Sequence, residues 1–318
     1  MFDIIIIGAG PSGLSVAIES QKNNLNSLII EKGGIVNSIQ NFPAEMSFFS
    51  TPELLEIGNL PFTSSQMRPT RVEGLEYYTR VAKYYDLKIN YFENVLSVEK
   101  INNYFEVKTS KSIYKTANVV LASGYYDNPN QLNINGEELE KVSHYYNEPY
   151  KFYQQKVAVI GAKNSAAIAA LELFRHGAEV TLIHRQEKLS DSIKYWIKPD
   201  LENRIAEGAI KFYSNSIVTE IRKTEIEILQ NKKEKIIFEN DFVFALIGYH
   251  PNISLLENAK VEIDKTIFAP IYNSETYETS LKGFFVAGSI AAGINNNKIF
   301  IENGREHGKK IINQIKNQ

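Results

Sequence analysis

Two parts of the chain repeat one pattern of apolar and polar positions. In the first, the β-branched run Phe2–Ile7 is followed by a glycine-rich turn at residues 8–13, and residues 14–22 have helical spacing. A second short apolar run, Ser27–Ile30, ends at an acidic residue. This order predicts a parallel strand–helix–strand unit over residues 1–32, because parallel neighbouring strands are usually joined by a crossover helix.

The same order returns in the second half of the chain. The apolar strand Lys156–Ile160 precedes a turn at residues 161–166, a helix is predicted over 167–176, and a strand over 180–184. The two turns begin 153 residues apart (161 − 8). A repeated unit at this separation matches the two domains expected from the length of the chain.

Shorter alternating segments accompany both units. The predicted strands are 88–92, 95–100, Tyr104–Thr109 and 113–115, and a similar set lies between 210 and 245. Asn102-Asn103 is a predicted hairpin turn, and the lysine-rich stretch 232–235 is a predicted solvated hairpin tip. A helix with one buried face is predicted over 74–85, because its apolar residues recur with helical spacing. Each half therefore combines a strand–helix–strand unit with a small antiparallel layer.

Length and hydrophobic content fit this organisation. The chain has 318 residues and is 43% hydrophobic, which is enough to fill two cores. The predicted fold class is α/β, with two Rossmann-like domains built on parallel sheets and small antiparallel β-meanders. We expect residues 1–120 and 250–318 to form the first domain, and residues 121–249 to form the second.

Composition narrows the chemistry. The chain contains no cysteine, which excludes disulfides, thiolate metal sites, cysteine nucleophiles and a redox-active CxxC pair. The five histidines have no metal-binding spacing, so no metal is expected. The formal charge of −2 comes from scattered residues of both signs, which predicts no nucleic-acid partner. No apolar run approaches the roughly 18 residues of a membrane helix, so we expect a cytoplasmic protein that binds no membrane.

The first turn fits the dinucleotide-binding pattern GxGxxG through Gly8, Gly10 and Gly13. It follows a predicted strand and opens a predicted helix, and Glu31 ends the next strand 18 residues after Gly13 (31 − 13). In this pattern the first glycine permits a tight turn, the second lets the backbone approach a pyrophosphate, and the third allows close helix packing. The Glu31 carboxylate is placed to accept hydrogen bonds from an adenosine ribose. The sequence therefore predicts a bound dinucleotide.

The second turn departs from this pattern. Gly161 is present and Ala166 is an accepted substitute for the third glycine, but Lys163 replaces the second. Lys163 either brings a positive charge to a phosphate or points to solvent. The next strand ends at His184 and Arg185 without an acid. Arg185 either contacts the 2′-phosphate of NADPH, which would favour NADPH over NADH, or is an ordinary surface residue, and Lys188 is a weaker second candidate for that contact.

Two nucleotide sites in one chain indicate a flavin and a nicotinamide nucleotide that exchange a hydride, and therefore an oxidoreductase. The chain resembles the thioredoxin-reductase-like FAD flavoproteins over nearly its whole length. The supporting segments are Asn41-Phe42-Pro43, Leu121-Ala122-Ser123-Gly124, Gly248-Tyr249-His250-Pro251 and Gly283-Phe284-Phe285-Val286-Ala287-Gly288. This resemblance implies a thioredoxin reductase-like fold with FAD and NADPH as cofactors.

Within that superfamily, other segments resemble the YpdA-type bacillithiol disulfide reductase family. They are Ser123-Gly124-Tyr125-Tyr126, residues 161–166, Ile247-Gly248-Tyr249-His250-Pro251, residues 272–279 and residues 299–304. The FAD contacts implied by the resemblance are Gly8, Gly10, Pro11, Ser12, Gly13, Glu31, Lys32, Asn41, Val95, Ser123, Gly124, Gly288, Ser289, Ile290, Lys298 and Ile299. The implied NADPH contacts are Gly161, Lys163, Asn164, Ser165, Ala166, His184, Arg185 and Lys188.

Three positions depart from these families. The stretch that corresponds to the thioredoxin reductase CxxC is His144-Tyr145-Tyr146-Asn147, which excludes thioredoxin reduction by a dithiol. Ser289 stands where thioredoxin reductases usually have an acid, and Ser12 stands where the YpdA-type family has a cysteine. A hydroxyl cannot perform thiol exchange, because its pKa is far too high and it forms no mixed disulfide. Ser12 is either natural, in a relative that passes electrons elsewhere, or an introduced Cys→Ser change.

The electron acceptor has more than one alternative. The resemblance implies bacillithiol disulfide or a related small-molecule disulfide, whereas the missing cysteine favours a small redox carrier such as ferredoxin, flavodoxin or a quinone. A flavin-based redox sensor with slow turnover is a further alternative. The sequence leaves the catalytic residue and the oligomeric state open, with a homo-oligomer as one alternative.

Overall fold

The computed structural model describes residues 1–295 and 298–318. The strands in chain order are β1 (Phe2–Ile7), β2 (Ser27–Ile30), β3 (Ile89–Asn90), β4 (Val95–Ile101), β5 (Tyr104–Thr109), β6 (Ile113–Leu121), β7 (Val142–Ser143), β8 (Lys156–Ile160), β9 (Glu179–Ile183), β10 (Lys211–Tyr213), β11 (Ser216–Ile221), β12 (Glu225–Gln230), β13 (Glu234–Glu239), β14 (Phe242–Ala245), β15 (Ile263–Asp264), β16 (Ala269–Pro270) and β17 (Phe284–Val286). The α-helices are α1 (Pro11–Lys22), α2 (Asn37–Gln40), α3 (Pro52–Leu55), α4 (Arg71–Tyr84), α5 (Asn164–Arg175), α6 (Lys198–Ala206), α7 (Ser254–Asn258), α8 (Ile301–Gly304) and α9 (His307–Lys316), and short 3₁₀ helices cover Tyr150–Phe152 and Gly288–Ala292. Among the described helices, none is long and apolar enough to cross a membrane.

The residue contacts divide the chain into two compact units. Unit 1 comprises Met1–Asn41, Glu45–Asn128 and Tyr249–Gln318. Unit 2 comprises Phe42–Ala44 and Pro129–Gly248. Most of unit 2 is therefore one continuous insertion in the chain of unit 1.

Unit 1 is built on a sheet with the strand order β3-β2-β1-β6-β5-β4, and β17 also pairs with β6. Its centre is buried because β1 and the second half of β6 are apolar on both faces, with Ile4–Ile6 and Val119–Leu121 fully buried. The strand predicted at 113–115 is longer in the structure, and β6 continues to Leu121. The first part of β6 pairs antiparallel with β5, while Val119–Leu121 pairs parallel with β17. The alternation of adjacent residues predicts the antiparallel pairing of β6 with β5, but it does not predict the parallel pairing with β17.

The strand predicted at 88–92 is the second element that differs. In the structure it is reduced to Ile89–Asn90, and it extends the parallel sheet beside β2 instead of joining the antiparallel layer. The antiparallel layer of unit 1 is formed by β4, β5 and the start of β6. Asn102, at the predicted hairpin turn, has a φ of 53°, which an asparagine tolerates better than most residues.

The strand order of unit 1 reverses beside β1. Strand β2 pairs with β1 on one side, and β6 pairs with it on the other side. Strand β17, which comes much later in the chain, pairs with β6. These strands are parallel, so their carboxyl ends meet at one edge of the sheet. In open α/β sheets a crevice at such a reversal is the usual ligand site. The edge brings together the turns that follow β1, β6 and β17.

Unit 2 has a parallel sheet with the order β10-β9-β8-β14-β7, and a separate antiparallel sheet of β11, β12 and β13. The alanine-rich helix α5 buries Ala166, Ala167 and Ala170 in the core that also contains Val157 and Val159 of β8. The lysine-rich stretch 232–235 is exposed, as predicted, and the hairpin turn between β12 and β13 lies at residues 231–233. Parallel sheets with additional antiparallel strands in both units confirm the α/β fold class.

Three helices begin three residues earlier than the apolar spacing predicts, and the first of them is α1, which begins at Pro11 instead of residue 14. The helix predicted from residue 74 begins at Arg71, because Thr70 and Glu73 form a capping box in which each side chain accepts from the other's backbone N–H, at 3.2 and 2.8 Å. The helix predicted from residue 167 begins at Asn164. The first turn of a helix is set by capping and backbone geometry, which a count of apolar positions does not detect.

Candidate functional site

The first glycine turn contains two glycines that the protein's own packing requires and one that it does not. A Cβ on Gly8, whose φ is 111°, would lie 2.6 Å from the carbonyl oxygen of Ala122, and a Cβ on Gly13 would lie 2.0 Å from that of Gly8. Gly10 differs, because its φ is −72° and a Cβ there would meet no atom within 4 Å. The turn thus leaves open space beside the middle glycine.

The same turn opens helix α1. Gly10 is its N-cap, without a side-chain capping bond, and Pro11 is the first helical residue. N–H groups in the first turn of an α-helix have no intrahelical acceptor and carry the positive end of the helix dipole. The open space beside Gly10 is therefore a favourable place for a phosphate group.

Glu31 follows β2 and ties the glycine turn to the strand. Its side chain is 5% exposed. One carboxylate oxygen accepts from the N–H of Ala9 at 2.7 Å, and the other accepts from Gly33 at 2.8 Å. A carboxylate has about four acceptor positions, so two remain for other donors such as ribose hydroxyls. Its neighbour Lys32 forms an ion pair with Asp127 at 2.8 Å.

Ser12, on the first turn of α1, is packed between two glycines distant in the sequence. Its Oγ lies 2.7 Å from the position that a Cβ would occupy on Gly288, and 2.7 Å from the corresponding position on Gly304. Both glycines are therefore needed to make room for the side chain at position 12. The sequence analysis did not identify Gly304 as a site residue, because nothing near it in the sequence indicates contact with the first turn.

The turn after β17 is held by a buried histidine. Gly288 has a φ of 74° and donates its N–H to Nδ1 of His307 at 3.1 Å. The His307 ring is 3% exposed and stacks on Tyr277 with the ring centroids 3.9 Å apart. Burial, with a smaller contribution from Lys310, lowers the pKa of His307 to about 4. The ring is neutral near pH 7 and accepts at Nδ1. A single histidine at a helix start gave no signal in the sequence.

The other residues predicted to contact FAD differ in their burial and in their neighbours. Ser123 follows β6, and its Oγ is buried without a hydrogen-bond partner among the described residues. Gly124 has a φ of 69°, and a Cβ on it would lie 3.7 Å from the Ser289 hydroxyl. The side chain of Ile290 is fully buried, and that of Val95 is 7% exposed within the core. The side chains of Ile290 and Val95 are therefore packed inside the protein.

Three further predicted residues lie at the periphery of this region. Asn41 is exposed at the end of α2, and its carbonyl oxygen accepts from the Tyr126 hydroxyl at 3.2 Å. Lys298 and Ile299 line a groove of about 770 Å³ in unit 1, together with the stacked Tyr277 and His307. Their side chains are thus directed partly toward this groove.

The second glycine turn has similar geometry with fewer glycines. Gly161 has a φ of 129°, and a Cβ on it would lie 2.5 Å from the carbonyl oxygen of Leu246. The methyl of Ala166 is 3.3 Å from that position and is fully buried, so alanine fills the place of the third glycine. Lys163 is the N-cap of α5 without a side-chain capping bond, and its side chain is exposed. The start of α5 therefore offers free N–H groups and a nearby cation.

Some of the other residues predicted to contact NADPH have side chains held by the protein, and others have exposed side chains. Asn164 is hydrogen-bonded through both ends of its amide to the backbone of residues 192 and 194, whereas Ser165 is exposed. His184, at the end of β9, has a buried Nε2, and burial together with Arg185 lowers its pKa. Arg185 and Lys188 are exposed, and neither forms an ion pair within residues 1–295 and 298–318. These two cations remain available to an anionic ligand.

Comparison with known proteins agrees with these features. A family model described as pyridine nucleotide-disulphide oxidoreductase matches residues 5–288. The chain is 46% identical over 312 residues to the bacilliredoxin reductase Bdr of Bacillus subtilis, covering 98% of this chain and 96% of that protein.

Solved structures give the same result. The bacillithiol disulfide reductase Bdr (YpdA) from Bacillus cereus is 44% identical, with a TM-score of 0.97 over 99% of this chain and 98% of its own. Thioredoxin reductase from T. acidophilum, at 22% identity, has a TM-score of 0.77 over 99% of this chain and 97% of its own. The predicted thioredoxin reductase-like fold and the predicted resemblance to the YpdA-type proteins are both confirmed.

Proposed function

Because the chain belongs to the pyridine nucleotide-disulphide oxidoreductase family, in the group of the Bdr (YpdA) reductases, we propose that it is an FAD enzyme that oxidises NADPH. When bound, FAD would accept a hydride from the nicotinamide and pass the electrons to an acceptor. The observation that carries the flavin assignment is Gly10, where the fold leaves space for a ligand and needs no glycine for its own packing. In this proposal unit 1 binds FAD and unit 2 binds NADPH.

The proposed FAD site uses the carboxyl edge of the unit 1 sheet. The start of α1 binds the pyrophosphate, since the first N–H groups of a helix have no intrahelical acceptor and its N-cap, Gly10, has open space at the Cβ position. Glu31 binds the adenosine ribose through the acceptor positions that Ala9 and Gly33 leave free. The turn at Gly288 and Ser289 binds the ribityl chain. This assignment is supported by the His307 contact, which fixes the Gly288 backbone.

The proposed NADPH site lies at the start of α5 and the end of β9. The helix start binds the pyrophosphate, with Lys163 supplying a positive charge. Arg185 and Lys188 bind the 2′-phosphate, which NADH lacks. Two exposed cations at this strand end, without an acid in the ribose position, support NADPH as the preferred donor.

For the acceptor, bacillithiol disulfide is the first candidate. It is the substrate named for the Bacillus cereus protein that is 44% identical to this chain. A small redox carrier, such as ferredoxin, flavodoxin or a quinone, is the second candidate. It is favoured by one observation, that the chain has Ser12 at the start of α1 and no cysteine anywhere. Without a thiol the chain cannot form a mixed disulfide with its substrate.

Anaerobic stopped-flow absorbance tests the proposed function directly. The purified protein is mixed with NADPH or NADH, and then with bacillithiol disulfide, flavodoxin and a quinone in turn. We expect NADPH to bleach the yellow flavin bands, and one acceptor to restore them rapidly. A colourless protein, or a flavin that neither nucleotide reduces, would overturn the proposal, while bleaching without recovery by any acceptor would indicate a redox sensor.

The 2′-phosphate assignment is tested by Arg185→Ala. Loss of one charge-assisted contact should raise the KM for NADPH about tenfold or more and leave the KM for NADH nearly unchanged. Steady-state kinetics with each nucleotide measure this ratio. Arg175→Ala is the control, because Arg175 lies at the other end of α5 in an exposed ion pair with Asp200 at 2.5 Å. An unchanged ratio of the two KM values in the Arg185 variant would refute the assignment.

Ser12→Cys tests the choice of acceptor. The start of a helix lowers the pKa of a cysteine, and the absence of side chains on Gly288 and Gly304 leaves room for the sulfur. We expect bacillithiol disulfide turnover to increase by about tenfold or more, because a thiolate can attack the disulfide and a hydroxyl cannot. Ser12→Ala is the control and should show no gain. Equal turnover in the cysteine and alanine variants would point to the small redox carrier instead.

A further inference from the structure

The segment between His184 and α6, residues 185–197, carries three basic residues and two acidic ones, Glu187 and Asp191, beside the second glycine turn. We call it the cationic loop, because it contains Arg185, Lys188 and Lys194. It has no helix or strand of its own between β9 and α6. Its cations can contribute to nucleotide binding only if the loop is held in place by other contacts.

Backbone and core contacts hold the first part of the loop. The N–H of Ser190 donates to the carbonyl oxygen of Ala162, inside the glycine turn, at 3.2 Å. Leu189 and Ile193 are 8% and 4% exposed and belong to the core that also buries Ala162. The loop is therefore anchored on both sides of residues 190–192.

Asn164, the first residue of α5, makes the connection between the loop and the helix start. Its Oδ1 accepts from the backbone N–H of Lys194 at 2.9 Å, and its Nδ2 donates to the carbonyl oxygen of Ser192 at 3.1 Å. Both ends of the amide are therefore engaged within the protein. The Asn164 side chain, which was also predicted to contact the nucleotide, thus connects the loop to the helix.

This arrangement matters because the two groups of phosphate-binding atoms are on different segments. The N–H groups that would bind the pyrophosphate are on α5, whereas Arg185 and Lys188 are on the cationic loop. Both phosphates of one nucleotide are bound well only if the distance between these groups is fixed. The Asn164 side chain links α5 to the loop through two hydrogen bonds, and Ser190 links the loop to the glycine turn through its backbone.

Resting on the proposed NADPH function, we infer that Asn164 is a positioning residue for recognition of the 2′-phosphate. It acts by holding the cationic loop against the start of α5. Its loss should weaken binding of nucleotides that carry a 2′-phosphate and leave binding of other nucleotides nearly unchanged.

The test is calorimetric titration of the purified flavoprotein with 2′,5′-ADP, which carries the 2′-phosphate, and with 5′-ADP, which does not. In Asn164→Ala, the two lost hydrogen bonds should reduce 2′,5′-ADP affinity about tenfold, with less than about a twofold change for 5′-ADP. Asn203→Ala, at an exposed position of α6, is the matched control and should bind both ligands like the unmodified protein.

Two further measurements separate positioning from general damage. In Asn164→Ala the KM for NADPH should rise about tenfold while kcat at saturating NADPH stays within about twofold. Trp196, the single tryptophan of the chain, lies in the cationic loop and is 37% exposed. Acrylamide should quench its fluorescence more strongly in Asn164→Ala than in Asn203→Ala, since the two hydrogen bonds that hold residues 192 and 194 are lost.

The outcomes distinguish this inference from the proposed function. If the unmodified protein binds both ligands equally well, the 2′-phosphate assignment fails and the inference fails with it. If the unmodified protein prefers 2′,5′-ADP and Asn164→Ala retains that preference, only the role of Asn164 is overturned. Equal loss of affinity for both ligands in Asn164→Ala would show that the residue supports the whole site rather than the 2′-phosphate.

Discussion

A Gly10→Val variant is expected to fold and to purify without its flavin. The backbone of Gly10 has a φ of −72°, which valine adopts, and no atom of residues 1–295 and 298–318 lies within 4 Å of the new Cβ position. The side chain would instead fill the space that we assign to the FAD pyrophosphate. We expect the affinity for FAD to fall at least about a hundredfold, which corresponds to about 3 kcal/mol. Visible absorbance of the purified protein measures the flavin content.

The comparison variant is Gly13→Ala, where a Cβ would lie 2.0 Å from the carbonyl oxygen of Gly8. This substitution should destabilise the protein even without flavin, because the helix must move away from the strand. Thermal unfolding followed by circular dichroism, with flavin-free unmodified protein as reference, separates the two effects. Gly10→Val should lose no more than about 1 kcal/mol, the range of an altered N-cap. A Gly10→Val protein with a full complement of flavin would place the FAD site elsewhere.

The stability of the protein should decrease in mild acid because of His307. Its pKa in the folded protein is about 4, below the ordinary value of 6.5, because the ring is buried. Between these values the unfolded chain binds the proton and the folded protein does not, so acid favours unfolding. The stabilisation is fully present above pH 6.5 and is lost as the pH falls toward 4. Linkage predicts a loss of about 2 kcal/mol between pH 7.5 and pH 5.

His307→Asn isolates this contribution. An asparagine offers an acceptor oxygen to the Gly288 N–H but does not titrate. Urea unfolding of both proteins at a series of pH values gives the slope of stability against pH. We expect the unmodified protein to lose about 2 kcal/mol more than the variant over this interval. Parallel slopes would show that His307 is protonated in the folded state at pH 5, and would contradict its burial as a neutral acceptor.

Local sequence patterns identified the elements that depend on neighbouring residues. The strands Phe2–Ile7, Ser27–Ile30 and Lys156–Ile160 have the predicted bounds, because short β-branched runs between turns are buried on both faces. Both glycine turns lie between a strand and a helix as predicted. Gly8 and Gly161 have the positive φ values that such turns require.

Elements with distant partners were predicted less well. The length of β6 depends on β17, about 165 residues later in the chain (284 − 119), and no window of adjacent residues contains that pairing. The hydrogen bonds of the Asn164 amide to the backbone of residues 192 and 194 are likewise absent from any local pattern, while its nucleotide contact stays a prediction. In both cases a long-range contact that only the folded chain forms decides the outcome.

The sequence by itself determined the fold class, the two glycine turns between strand and helix, and the absence of any thiol, because these follow from residue type and from spacing along a few dozen residues. Only the tertiary structure showed that Ser12 is enclosed by Gly288 and Gly304, and that His307 supports the Gly288 turn. These groups are more than 270 residues apart in the first case (288 − 12 = 276) and meet because parallel strands end at one edge of a sheet. The separation of two residues along the chain does not predict such contacts, because they are formed by packing at the edge of the folded sheet.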